Sequence, residues 1–203
     1  MESHKIRMSG HLRREDLMTL ETFAEQRSNF QREVMGIKKF RQVNLGGHIR
    51  LLFENQKTVQ YQIQEMLRIE KIFEVGGIQD ELDTYNPLIP DGSNLKATMM
   101  IEYADDEERK EALAKLIGVE RQIFIKVGPH EKVFPICNED LERETTQKTS
   151  AVHFLRFEFT DQMVMDFSDL DTVIAGVKHK NYQAEETLDD QVIIQLATDF
   201  YKT

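Results

Sequence analysis

The chain has 203 residues, 40% of them hydrophobic and 31% charged, with a net charge of −10. That is enough apolar material for one sizeable core, and no apolar run approaches the ~20 residues that span a bilayer. The N-terminus Met1-Glu-Ser-His-Lys5 lacks the basic-then-apolar order of a signal peptide, so a cytoplasmic protein without membrane insertion is expected.

Charge is spread unevenly along the chain. Residues 1–57 hold eleven Lys/Arg against seven Asp/Glu, and the remainder hold fifteen against twenty-nine. An acidic chain is repelled by nucleic acid at long range, which disfavours nucleic acid as a partner. The Lys38, Lys39, Arg41 cluster reads as the solvated last turn of a helix, where cations complement the dipole.

Residues 1–13 read as a disordered extension, and residues 14–203 as one domain. From Glu15 to about Arg41 the pattern is helical. Ser28 with Gln31 is a capping-box signal that predicts a break into two helices, the second packing a stripe of Phe30, Val34, Ile37 and Arg41 on a core and leaving Arg32, Lys38 and Lys39 to water. After Gly46-Gly47, residues 48–54 alternate as a strand, with Ile49, Leu51 and Phe53 on one face and His48, Arg50, Leu52 and Glu54 on the other.

Asn55 can cap the next helix, whose stripe is Val59, Ile63, Met66, Leu67 and Phe73 and whose stop is Gly76-Gly77. Its other face carries Tyr61, Gln64, Glu65 and Arg68. A short helix over 78–85 ends before Pro87, because the residue preceding proline disfavours the helical region, and Pro90-Asp91-Gly92 makes a turn.

A strand over 95–103 follows. Asp105 with Glu108 opens a helix that closes at Gly118. Residues 122–127 and 132–137 read as a hairpin across Gly128-Pro129, and 139–149 as a polar turn or loop. Residues 150–159 form a strand, 161–170 a helix, 172–179 and 182–187 a second hairpin, and 189–201 a closing helix. This order is not a strict alternation of strand and helix. It predicts an α+β fold, a mostly antiparallel sheet packed with several helices, with a helical N-terminus and a C-terminal helix.

No Walker loop, dinucleotide glycine fingerprint, paired-cysteine site, His-Glu-x-x-His helix or nucleophile elbow occurs in the sequence. Cys137 stands alone and reads as a small buried hydrophobe. His153 alternates onto an apolar face, where a histidine with a backbone hydrogen bond is the ordinary case. His179 and Tyr182 read as exposed residues of a hairpin tip.

What remains is a constellation that needs the fold to assemble it. If the strands over 48–54, 95–103 and 150–159 are neighbours, their polar faces bring together His48, Arg50, Glu54, Lys96, Thr98, Glu102, Arg156 and Glu158. Opposite charges across strands equally stabilise a solvated sheet face. The functional version places a pocket between strand 48–54, helix 59–73 and loop 83–92. Its candidate residues are His48, Arg50, Glu54, Tyr61, Glu65, Arg68, Asp83, Tyr85, Asn86, Glu102 and Arg156. His48, Glu54 and Glu65 are the candidate ligands of a divalent or iron-type metal, and the arginines candidate clamps for a small anion.

The runs Leu51-Leu-Phe-Glu-Asn55, Val59-Gln-Tyr-Gln-Ile-Gln-Glu-Met-Leu-Arg68, Glu81-Leu-Asp-Thr-Tyr-Asn-Pro-Leu-Ile-Pro-Asp-Gly92, Leu95-Lys-Ala-Thr-Met99 and Lys148-Thr-Ser-Ala-Val-His-Phe-Leu-Arg-Phe157 resemble a bacterial domain-of-unknown-function family. The resemblance runs from about Arg14 onward. It implies genes encoded beside a rubrerythrin and beside an iron-sulfur oxidoreductase similar to the membrane-anchoring subunit of anaerobic glycerol-phosphate dehydrogenase. A redox or peroxide-defence (oxidative stress) setting follows from that, and no catalytic residues do. Two readings stand at this point: an accessory or interaction protein that docks on a redox partner such as rubrerythrin, and a metal- or small-anion-binding enzyme. Homo-oligomerisation is left open.

Overall fold

In a computed structural model of the chain, residues 10–169 and 172–200 are described. The strands form two sheets, and their period-two alternation turns the apolar faces of both into one core. The N-terminal helix α1 (Leu20–Lys39) leads into β1 (Gln42–Leu45) and β2 (Ile49–Phe53). Helices α2 (Gln56–Glu70) and α3 (Val75–Tyr85) follow, then β3 (Asn94–Ile101), α4 (Asp106–Lys115), β4 (Ile123–Val127), β5 (Ile136–Cys137) and β6 (Val152–Glu158). Helix α5 (Asp161–Ser168), strands β7 (Val173–His179) and β8 (Tyr182–Thr187) and helix α6 (Asp190–Ala197) complete the order.

The first sheet runs β1-β2-β3-β6-β5 and the second β4-β7-β8, with every pairing antiparallel. Leu51, Phe53, Leu95, Met99, Leu155 and Phe157 of the first sheet share a buried cluster with Ile123, Ile125, Val127, Val173 and Val177 of the second. Each such side chain contributes about 1.5–3 kcal/mol of transfer free energy. Phe159, Phe167 and Phe200 close one end as a mutually edge-on aromatic triad. The fold is α+β, as the element order predicts.

Helices α1 to α3 form their own apolar packing. Val59, Ile63 and Leu67 of α2 meet Leu82, Ile89 and Leu12, while Phe23, Phe30 and Tyr61 stack edge to face. Leu12 lies within the segment read as disordered, yet it is buried, and its N–H and C=O both bond the Asn86 amide. Residues 1–9 lie outside the described residues, as do residues 170–171 and 201–203.

Several boundaries differ from the sequence reading, each for a physical reason. Helix α1 is continuous through Ser28, because its buried stripe Phe23, Phe30 and Val34 spans that position; the working cap is Thr19, which accepts from Thr22 N–H. Helix α2 stops earlier than Gly76, at Lys71, which takes the left-handed region (φ 56°), and Phe73 is 72% exposed beyond it. Gly76 and Gly77 open α3 instead, and at Gly77 a Cβ would stand 2.7 Å from the Ile72 methyl.

The expected hairpin over 122–137 is also replaced. Only Ile125 bridges Val133, and after Pro135, which has no N–H to donate, the chain crosses to the other sheet, where Ile136 and Cys137 pair with Arg156 and Leu155. Arg41 is fully buried, as its place on the apolar stripe predicts, and is not a solvated last-turn cation. Its guanidinium donates to Phe53 O (3.0 Å), Glu54 O (3.0 Å) and Gln195 O (2.8 Å) and pairs with Asp199.

Candidate functional site

Strands β2, β3 and β6 are neighbours, in a register that places Lys96 beside Arg156, Thr98 beside Leu52 and Phe154, and Arg50 beside Met100. The polar faces therefore form one surface. The α2 polar face does not cover it, because it turns toward α1 and not toward the sheet: the Glu65 carboxylate accepts from Arg27 (2.7 Å) and Arg68 (2.8 and 3.0 Å). Those hydrogen bonds hold the Glu65 pKa low against its burial.

The eleven predicted residues accordingly divide. Arg50 pairs with Glu102, and the His48 ring stacks on Tyr103 at 3.9 Å while its Nδ1 donates to Glu102 O. Glu54 is buried and accepts from the Thr58 (2.5 Å) and Thr98 (2.7 Å) hydroxyls, which tie the start of α2 to β3. Tyr61 packs on Phe23 and Phe30 beside Glu65 and Arg68, and Asn86 is occupied by Leu12. His48, Glu54 and Glu65 thus have separate partners. Among the described residues no three His, Cys, Asp or Glu side chains gather to hold a metal ion.

Asp83, Tyr85 and Arg156 do meet, in a 630 Å³ cleft. Its floor is the outer face of β3 and β6 (Lys96, Phe154, Arg156). One wall is the end of α3 with the 3₁₀ turn Asn86–Leu88, and the other is the loop carrying Glu139, Leu141 and Arg143. The volume lies within the ~300–1,000 Å³ of ordinary ligand clefts.

Most charges in the cleft are paired with each other. Arg156 donates two bonds of 2.7 Å to Glu139 and also pairs with Glu158; these bonds raise its pKa and lower that of Glu139. Arg143 pairs with Asp140 and lies 4.5 Å over the Phe154 ring. Asp83 accepts from Gln79. Between them Tyr85, Pro87, Leu88, Leu141 and Phe154 present apolar surface. Leu141 is 55% exposed, and Ile136, on the same sheet face as Arg156 by register, is 45% exposed.

Sequence reasoning missed Phe154, Leu141 and Arg143. Phe154 had a signal, since alternation places it among Val152, Arg156 and Glu158 on the outward face, where a phenylalanine is out of place. Leu141 and Arg143 lie in an irregular loop with no periodicity to read.

Behind that loop, on the core side, lies a second polar group. The His153 Nε2 donates to Ser150 O (3.0 Å), and its Nδ1 accepts from the Asn138 amide (3.0 Å), whose oxygen is taken by Phe154 N–H (3.2 Å). This set of bonds needs a neutral imidazole, and burial lowers the His153 pKa in the same direction. Cys137 is half-buried and its Sγ meets Glu120 O at 3.5 Å; burial, then the neighbouring Glu120 charge, pushes the thiol up to about 12, the opposite of an activated nucleophile. Tyr182 is half-buried and its hydroxyl is engaged, donating to Leu45 O (2.6 Å) and accepting from His48 N–H (3.0 Å), and His179 is buried.

The fold and this cleft define an α+β protein of two antiparallel sheets with a largely self-neutralised, apolar-lined groove on the outer face of one of them. The chain belongs to the family described as protein of unknown function DUF3501, whose family model matches residues 11–200. It is similar to a novel protein of unknown function from Burkholderia pseudomallei K96243, seen in a crystal structure at 1.90 Å resolution, with 48% identity, 94% of this chain and 99% of that chain covered, and a TM-score of 0.89. No curated protein matches the chain. No described helix is long and apolar enough to cross a membrane.

Proposed function

We propose that this protein is an accessory protein that works by binding a partner in the cleft between α3, the outer face of β3 and β6, and the 138–143 loop. One observation carries this reading: Arg143 and Arg156, which line the cleft, are neutralised by Asp140, Glu139 and Glu158, while Phe154, Leu88 and Leu141 form the apolar surface left to a visitor. Paired, immobilised charges suit recognition and orientation of a partner, whereas acid–base work needs a group free to exchange its proton. The exposed Ile136, beside Arg156 on the same sheet face, adds apolar surface next to the cleft, as suits an interaction face.

The redox setting that the family resemblance implies makes a rubrerythrin the first partner to test. Capture of purified rubrerythrin on the immobilised protein at low salt is the experiment. Enrichment is expected with the wild type and its loss with Leu141→Asp, a change at an exposed position that leaves the core intact. No enrichment on the wild type, or equal enrichment on both, contradicts the reading.

A further inference from the structure

Lys96 differs from the other cations of the cleft. Arg143 and Arg156 each have a carboxylate, but among the described residues none lies within ion-pair distance of the Lys96 Nζ. The residue is only 9% exposed, and of its three N–H donors one is used, toward Pro87 O at 2.8 Å. A buried ammonium without a counter-ion is expensive to hold charged, and burial lowers the Lys96 pKa accordingly, with its cross-strand neighbour Arg156 adding repulsion.

The acidic groups that act on Lys96 through space are engaged elsewhere. The Asp91 carboxylate accepts from the Ser93 N–H and hydroxyl, Glu139 is held by Arg156, and Glu158 by Arg156 and Asn94. Two donors of a cation on the cleft floor are thus left to whatever enters, and Tyr85, Leu88 and Leu141 stand around them.

We infer that the cleft is a carboxylate site, and that its occupant is the C-terminal residue of a partner chain ending in an aromatic or branched apolar side chain. The inference rests on the binding reading above and names the chemistry recognised. Because Lys96 lies at the bottom, the anion has to reach down to it. A chain end, with carboxylate and side chain on one Cα, enters end-on and sets the first on Nζ and the second among Leu88 and Leu141.

Titration of the isotope-labelled protein with N-acetylphenylalanine and with its amide, followed by amide chemical shifts, tests this. The acid should move the amides of residues 85, 88, 96, 141 and 154–156 saturably, and the neutral amide should bind about tenfold more weakly or worse, the scale of one charged hydrogen bond. Lys96→Met, checked for native dispersion of the spectrum, should reduce the acid to the affinity of the amide. A hexapeptide ending in free phenylalanine should bind at least as tightly as the acid.

Equal affinity for acid and amide on the wild type, unchanged acid affinity in Lys96→Met, or no saturable shift with the acid overturns the carboxylate. A hexapeptide tenfold weaker than the acid overturns the chain end in favour of free small acids. The binding reading itself fails separately, if Leu141→Asp leaves partner capture unchanged.

Discussion

Just beyond the end of α1, Arg41 reaches three backbone carbonyls: Phe53 and Glu54 at the end of β2, and Gln195 in the last turn of α6. A guanidinium offers five donors in a fixed fork and complements the negative end of a helix, so one side chain joins three elements. Its partner Asp199 is pushed up to about 6 by burial, against the pull of Arg41. A folded pKa above the ordinary 3.8 means that this carboxyl favours the folded state below pH 3.8, and that the contribution is lost as pH rises through about 6. His153 has the other sign. Its folded pKa lies below the ordinary 6.5, so its environment is fully stabilising above pH 6.5 and loses stability as acid protonates the unfolded chain first. Urea unfolding between pH 8 and 5 should therefore show the wild type losing stability below pH 6.5 with a slope approaching ~1.4 kcal/mol per pH unit relative to His153→Asn. The Asp199 titration is common to both proteins and cancels in the difference. Parallel pH profiles would show that His153 is not held neutral by Asn138 and Ser150.

At the scale of elements, one hydroxyl bridges the two sheets at the β1–β2 turn. Tyr182 on β8 satisfies Leu45 O and His48 N–H at the two ends of the β1–β2 turn, and Gly46 (φ 65°) is there because a Cβ would lie 2.7 Å from that oxygen. Tyr182→Phe leaves both groups without this partner, and thermal or urea unfolding should show a loss of about 1–3 kcal/mol; a loss within a few tenths would mean that water replaces the hydroxyl at no cost. The strands β2, β3 and β6 and the closing hairpin were legible in the sequence, because alternation reports which residues share a face. The crossing of residues 132–137 from one sheet to the other was not, since its pairing with Arg156 and Leu155 is nonlocal and leaves no period. Helix α2 shows the same limit. Its polar face was legible, but spacing names a face without naming the neighbour, and the neighbour is Arg27 of α1 rather than the sheet. For that reason, of the eleven candidate residues only Asp83, Tyr85 and Arg156 line the cleft seen between α3, β3 and β6.

Across the whole molecule, the charged groups of highest burial sit away from the cleft or are paired within it. Arg41 with Asp199 lies at one end of the core and Glu65 with Arg27 between helices, leaving Lys96 as the buried cation of the cleft without an anion of its own among the described residues. The shared core of the two sheets holds the β3 and β6 floor rigid, while α3 and the 138–143 loop supply walls from distant parts of the chain. That division suits a preformed receptor, in which little ordering has to accompany binding. Hydrogen–deuterium exchange of the protein with and without rubrerythrin tests the account most directly. Slowed exchange confined to residues 83–88, 138–143 and 154–156 is expected; protection centred elsewhere, or none under conditions where the two proteins associate, would contradict it.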